Sequence, residues 1–255
     1  MKAAINEAVV LMAGAGSRLN SGSVAGLKPL TPVMDRPLVL YILESLKAAG
    51  IRTVHAIVGH QRDTLVKSVE ALAPAGMNIQ FLVNSEWRRQ NGVSVLAAET
   101  HVKSPFVLTM SDHLFDPELL DVLLRHAQRD KLNLAIDRKI EAIVDIDDAM
   151  KIRTSGDRVI AIGKELLEYD AIDTGLFVAN DELFTHLRRA VRNGDCSLAD
   201  GVRSMAAAGK LRIIDVGDAW WQDVDTPRTL VAAENHLRSR LTSSSLAGTG
   251  SGTQR

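Results

Sequence analysis

One feature constrains this chain more than any other. Short apolar runs rich in β-branched residues alternate with segments of helical spacing through the first 137 residues. Residues 8–13 read as a buried strand that runs straight into a glycine loop. Residues 37–49 carry Leu38, Tyr41, Ile42 and Leu46 on one side and stop at Gly50, which predicts a helix. Further strands are expected at 54–58, 79–83, 106–110 and 132–137. Helices are expected at 62–72, at 92–101 and from Pro117 to about residue 129, the last capped by Asp116. Strand–helix alternation of this kind predicts a mostly parallel α/β sheet with helices on both faces.

The rhythm changes after residue 148. Runs at 149–153 and 158–162 flank the turn signal Ser155-Gly156-Asp157, so a hairpin is expected there. A strand follows at 174–179, then helices at 181–192 and 197–208, a strand at 211–216 and a closing helix at 227–241. These pieces suit a small antiparallel, substrate-side insertion at one edge of the parallel sheet. From Thr242 the chain is rich in Ser, Gly and Thr with no apolar period, which predicts a disordered tail or a linker over 242–255 after one folded domain, 1–241.

Charge narrows the function. Thirty Lys and Arg against 31 Asp and Glu leave a net charge of −1, with no pull toward nucleic acid or anionic membrane. The single cysteine, Cys196, forms no internal disulfide and points to a reducing, cytoplasmic setting. No apolar run reaches the roughly 18 residues of a membrane span.

Three motifs carry chemistry. In the first, Gly14 and Gly16 follow strand one, where missing Cβ atoms let backbone N–H groups approach an anion. A dinucleotide fingerprint fails at Leu19, which stands where the third glycine belongs, and no Gly-Lys-Ser/Thr follows for a Walker loop. What remains is a glycine loop with two cations, Arg18 and Lys28, across a Gly- and Ser-rich stretch. That arrangement suits a nucleoside triphosphate, although a plain strand-to-helix turn with solvated cations would read the same. The second motif puts Asp112 at the C-terminal end of a strand, where open α/β sheets bind ligands. There it can hold Mg²⁺ or simply order a loop. His113 beside it reads as a supporting residue rather than a ligand. In the third, Asp223 and Asp225 alternate across Val224, so an extended segment turns both carboxylates the same way, and two such groups favour a cation. Thr226 and Pro227 read as a helix start. The acidic cluster from Asp145 to Asp148 reads as a surface or loop-ordering group.

The A-G-x-G-S-R-L loop, the Lys28-Pro29-Leu30 after it, the strand-end Asp112 and the late Trp-x-Asp-x-Asp-Thr stand in the order found in sugar-phosphate nucleotidyltransferases. The chain resembles that family from Val9 to Thr226. Segments 84–94, 110–115, 137–139, 145–151, 162–164 and 173–175 resemble its CTP:inositol-1-phosphate cytidylyltransferase branch. The resemblance implies a Rossmann-like core and transfer of CMP from CTP to inositol 1-phosphate, giving CDP-inositol and pyrophosphate. It implies that Ala13, Gly14, Ala15, Gly16 and Ser17 with Arg18 hold the triphosphate, and that Lys28 neutralises charge at the α-phosphate. Asn91, Gly92 and Ser94 then receive base and ribose. Asp112 with Asp223 or Asp225 holds Mg²⁺, and Lys151, Lys164 and Asp173 line the acceptor pocket.

No Ser/His/Asp or Cys/His device is needed, because an acceptor phosphate is already a nucleophile; catalysis is the bringing together of two anions under cations. Other acceptors (a hexose 1-phosphate, phosphocholine, a phosphonate) and a non-catalytic nucleotide-binding module stand as alternatives. A choline head group favours an aromatic cage, which ten aromatics in the whole chain make less attractive. Family members are often fused to a membrane-embedded enzyme. The resemblance therefore leaves open a stand-alone copy, one separated from such a domain, or a homodimer.

Overall fold

The computed structural model describes residues 5–16, 19 and 26–248, with side chains through residue 242. Its centre is the parallel trio expected from the alternation. Strand β1 (Glu7–Leu11) lies between β4 (Thr53–Val58) and β6 (Phe106–Met110), and β5 (Asn78–Val83) continues the sheet beyond β4. Two short strands, β2 (Pro32–Val33) and β3 (Arg36–Pro37), form a separate antiparallel pair.

On the other side of β6 the pairing turns antiparallel. Strand β11 (Ala171–Ala179) joins β6, β8 (Leu132–Asp137) and the hairpin of β9 (Lys151–Ser155) and β10 (Arg158–Gly163). The edge strand β12 (Leu211–Asp215) is again parallel to β8. Strand β11 serves three partners because its register shifts between Asp173 and Phe177, around Gly175 at φ +72°. That left-handed backbone is accessible to glycine at little cost.

Side-chain alternation along β1 divides the core. Ala8, Val10 and Met12 pack on one face with α1 (Leu38–Ala48), α2 (Arg62–Leu72) and α4 (Pro117–His126). Val9, Leu11 and Ala13 pack on the other with α3 (Asn91–Leu96), α5 (Glu182–Ala190) and α6 (Leu198–Ala207). Successive residues of a strand point to opposite faces, so one apolar run feeds both layers. A capping box of Ser197 and Asp200 starts α6, with Asp200 N donating to Ser197 Oγ at 3.1 Å and Ser197 N donating to Asp200 Oδ2 at 2.8 Å. The expected mostly parallel sheet, covered on both faces and carrying an antiparallel hairpin, is what forms.

Several details differ from the sequence reading. The helix expected over 92–101 is regular only to Leu96. Asp116 sits at the start of α4 without capping it through its side chain; its carboxylate pairs instead with Arg240 at 2.6 Å and His236 at 3.0 Å. Those two residues belong to the closing helix α7, which runs Pro227–Gly248 and so includes part of the segment read as a tail; residues 249–255 lie outside the described residues. A two-stranded antiparallel unit, β7 (His113–Phe115) with β13 (Trp221–Asp223), has no counterpart in the sequence reading.

Candidate active site

The β7–β13 unit assembles the site. Asp112 is the second residue after β6, and Ser111 N donates to Leu11 O at 2.9 Å, so residues 111–112 remain beside the glycine loop. Strand β13 pairs Asp223 with His113, and Val224 N donates to Asp112 O at 2.9 Å. This joins two segments more than a hundred residues apart. Val224, fully buried, faces an apolar cluster with Leu19, Leu38, Leu114 and Ala233. Its neighbours Asp223 and Asp225 therefore project the other way, as the alternation across Val224 predicts.

They meet Lys28. This lysine opens a 3₁₀ turn, Lys28–Leu30, with Pro29 in its first positions. Its buried ammonium bonds Asp112 Oδ2 at 2.5 Å, contacts Asp225 Oδ1 and lies 3.8 Å from Asp223 Oδ1. Gly16, at φ +60°, lies against the Lys28 stem, where any Cβ would collide with it. Asp225 is held from behind: Thr229 Oγ1 accepts from Asp225 N at 3.0 Å and from Thr226 N at 2.9 Å, and Thr226 Oγ1 accepts from Thr229 N at 3.2 Å. Thr226 thus performs the capping role expected at the start of α7.

Electrostatics follow from this geometry. Burial alone would raise the Asp112 carboxyl, but the adjacent Lys28 ammonium and His113 more than offset that and hold it far below the usual carboxylate range. His113 Nδ1 lies 2.7 Å from Asp112 Oδ1. Burial opposes its charged form, yet Asp223 and Asp112 together raise the imidazole above its ordinary value. His113 also stands with Asp112 and Asp223 in a group whose possible ligand atoms all lie within 4.8 Å of one another. Burial pushes the Asp173 carboxyl up to about 6, against the lowering effect of the Gly175 N–H, which donates to Asp173 Oδ1 at 2.7 Å, and of His113.

Two clefts meet at these carboxylates. One, of about 360 Å³, is lined by Ala13, Gly14, Gly16, Lys28, Asn91 and Ser94. The other, of about 510 Å³, is lined by Asp145, Asp148, Lys164, Asp173, Trp221 and Asp223, among others. Asn91, Met110, Asp112 and Asp225 border both. At Gly14 an added Cβ would meet no atom within 4 Å, so the loop face opens into the first cleft.

Most of the residues anticipated from sequence are brought together here. Asn91 accepts from Leu198 N at 2.8 Å, and Ser94 Oγ accepts from Asn84 Nδ2 at 2.9 Å. Gly92 faces away from the cleft, with its missing Cβ directed at Cys196 O and Ser197 O, 2.7 and 2.8 Å from where the atom would be. Lys164 lines the larger cleft and pairs with Asp148 at 2.6 Å. Lys151 is positioned differently: its ammonium donates to Lys164 O at 2.8 Å and lies over the Tyr169 ring at 5.6 Å, so it braces the turn that presents Lys164. Ser17 and Arg18 lie outside the described residues.

Sequence reasoning missed Asp148, whose carboxylate can come within 4.8 Å of those of Asp223 and Asp225. The sequence reading of that cluster is a surface or loop-ordering group. Sequence reasoning also missed Thr229, which stands four residues beyond Asp225 in the first turn of a helix, the only local signal it carries; Trp221 is part of the late motif, which gives it no place in a cleft.

Comparison with known proteins agrees with this geometry. The family model for the MobA-like NTP transferase domain matches residues 8–199, and the chain belongs to that family. A bifunctional IPC transferase and DIPP synthase from Thermococcus kodakarensis is 32% identical over 249 residues, covering 96% of this chain and 52% of the relative. Its namesake from Rubrobacter xylanophilus is 33% identical over 229 residues, with 89% and 51% covered. The chain spans about half the length of these curated relatives. A solved structure of the inositol-1-phosphate CTP transferase from T. maritima superposes with a TM-score of 0.80 at 25% identity, covering 92% of this chain and 98% of that one.

Proposed function

We propose that this chain transfers CMP from CTP to the phosphate of inositol 1-phosphate, releasing pyrophosphate and forming CDP-inositol, with Mg²⁺. The observation that carries the reading is the convergence of Lys28, Asp112, Asp223 and Asp225 where a glycine-loop cleft meets a second, hydroxyl-accepting cleft. The names of the half-matching relatives and of the T. maritima transferase supply the base and the acceptor.

The donor set fits Mg²⁺. Carboxylate oxygens of Asp148, Asp223 and Asp225 lie within 4.8 Å of one another, and Asp112 and Asp223 form a second such group with the His113 ring, so carboxylates dominate the set. Hard oxygen ligands of this type, one or two carboxylates with phosphate oxygens completing the shell, are what Mg²⁺ takes. Asp112 with Asp223 or Asp225 would hold it, and when bound it supplies charge neutralisation between donor and acceptor phosphates.

The chain's own residues do the rest. The loop 13–17 with Arg18 receives the triphosphate through backbone N–H groups and a guanidinium. Asn91 and Ser94 border the ribose and base. Lys28 passes its ammonium from the carboxylates to the α-phosphate, where charge builds as the leaving pyrophosphate departs. Lys164 receives the acceptor phosphate in place of Asp148, and Asp173 accepts from the acceptor's hydroxyls. The acceptor oxygen attacks the α-phosphorus in line, the bond to the β-phosphate oxygen breaks, and no covalent enzyme intermediate is required.

The test is pyrophosphate release with Mg²⁺, crossing CTP, UTP, GTP, ATP and dTTP with inositol 1-phosphate, glucose 1-phosphate and phosphocholine. Release with CTP and inositol 1-phosphate alone is expected. Release with another pair keeps the reaction and discards the substrate assignment, and no release with any pair sinks the catalytic reading.

A further inference from the structure

We propose that Trp221 is a specificity-determining wall of the larger cleft, a fixed flat surface against which the ring of a cyclic polyhydroxy phosphate stacks. The inference rests on the acceptor assignment above and deepens it. Trp221, half-buried, lines the cleft together with Asp145, Asp173 and Gln222. Its indole N–H donates to Asp137 Oδ2 at 2.9 Å. The His113 imidazole lies alongside, nearly parallel to it, with ring centroids 6.3 Å apart and planes 11° from coplanar. His113 is itself immobilised, by Asp112 at its Nδ1 and by Gly175, where a Cβ would collide with the ring.

Asp137 explains why the indole is fixed. It is only 2% exposed at the end of β8, and the reaction has no evident use for it. Burying a carboxylate is costly unless hydrogen bonds satisfy it. The Asp137 oxygens are satisfied by Trp221 on β13 and by Lys139. Oδ2 takes the Trp221 N–H, and Oδ1 takes Lys139 N at 2.7 Å and pairs with Lys139 Nζ at 2.9 Å. Lys139 Nζ in turn donates to the carbonyl oxygens of Gly217 and Ala219, the latter at 3.3 Å, in the loop that leads into Trp221. Asp137 and Lys139, which the nucleotidyl-transfer chemistry leaves unexplained, thus mount one aromatic side chain, while Arg138 between them pairs with Asp170.

A rigid aromatic wall with carboxylates beside it matches one ligand chemistry. A cyclitol or hexose ring offers an apolar C–H face, which an indole face accepts, and an edge of hydroxyl donors, which Asp145 and Asp173 accept. An acyclic phosphate offers no such face. Asp137 is a positioning residue in this account, and Trp221 touches the acceptor.

Steady-state kinetics on the full chain test it, with inositol 1-phosphate and glucose 1-phosphate as ring acceptors and glycerol 3-phosphate and phosphocholine as acyclic ones. Trp221→Ala should raise KM for the ring acceptor at least tenfold, leave CTP affinity by calorimetry within twofold, and leave KM for acyclic acceptors unchanged. Trp221→Phe should recover most of the loss. Asp137→Asn should raise ring-acceptor KM by a smaller factor with kcat nearly intact, a split that simple destabilisation would not give. An unchanged ring-acceptor KM in Trp221→Ala overturns the proposal, as does an equal rise for ring and acyclic acceptors or a rise confined to phosphocholine. If wild type uses glucose 1-phosphate but not inositol 1-phosphate, the substrate assignment falls while the wall is measured on the hexose. Turnover of acyclic phosphates alone, or of none in the panel, overturns the wall.

Discussion

Three carboxylates face one ammonium at Lys28, and that imbalance makes Lys28 matter twice. Removing one partner of a buried ion cluster leaves uncompensated charge, at a cost of about 3–5 kcal/mol. Lys28→Ala should therefore lower folding stability by about 3 kcal/mol in EDTA, and saturating Mg²⁺ should restore part of it. Denaturant titrations with and without the metal read this directly, and equal stabilities in the two buffers would contradict metal binding by these carboxylates. Turnover should fall about 100- to 1000-fold, the range for deleting one donor to developing charge. Asp173 gives the opposite trade. Its folded-state carboxyl is raised to about 6, so it stays protonated where the unfolded chain has already ionised. Below about pH 4 both states hold the proton and nothing is lost. Between pH 4 and 6 the native state is progressively penalised, and above 6 the penalty is constant, at most about 3 kcal/mol for a shift of this size. Asp173→Asn keeps an oxygen for the Gly175 N–H and should stabilise the protein by about 1–3 kcal/mol at pH 7.5 and by nothing at pH 4, while acceptor KM rises. Melts at the two pH values decide it.

Elements place these residues, and some placements were legible in the sequence while others were not. The strand–glycine loop–helix order and Asp112 at a strand end follow from local pattern, because β1 and β6 are buried on both faces and read as continuous apolar runs. Asp223 and Asp225 were legible as a same-facing pair because Val224 between them needs burial. Strands β7 and β13 were not, since each has three residues and exists only through pairing with a segment more than a hundred positions away. The same long-range pairing gives Trp221, a member of the late motif, a cleft that its local sequence does not show. Asp116 looked like a helix cap because Asp-Pro starts helices, and tertiary contacts with Arg240 and His236 took its carboxylate instead. Gly92 shows how an element contact governs a site it does not touch. A methyl there would lie 2.7 Å from Cys196 O and 2.8 Å from Ser197 O, backbone atoms at the start of α6 that cannot turn aside as a side chain could. Gly92→Ala should push α3 from α6, disturb the Asn91–Leu198 bond and weaken CTP binding about tenfold, with loss of about 1–3 kcal/mol of stability from overpacking. Nucleotide titration and a thermal melt check both effects, and a variant that binds CTP as wild type does would separate the α3–α6 contact from the nucleotide cleft.

At the scale of the whole molecule, two of the clefts on the mixed sheet share a wall that includes Asp112 and Asp225. The parallel half supplies the glycine-loop cleft, and the antiparallel half supplies much of the lining of the larger one. The crossing of β13 onto β7 closes the boundary between them. Among the described residues no helix is long and apolar enough to cross a membrane. Two ligands that each bring phosphate to a shared wall must repel unless cations intervene. One pair of unit charges 4 Å apart in water is worth about 1 kcal/mol, or roughly fivefold in affinity. Binding of the two ligands is therefore coupled, and the sign of the coupling depends on the metal. In EDTA, a non-reactive CTP analogue should weaken binding of inositol 1-phosphate about fivefold or more. In Mg²⁺ the same analogue should leave acceptor affinity unchanged or strengthen it. Calorimetric titration of acceptor into enzyme with and without the analogue, in both buffers, measures all four corners of the cycle. Equal coupling in EDTA and Mg²⁺ would show that the cations between the phosphates belong to the protein alone, with Lys28 and Lys164 the residues to examine next.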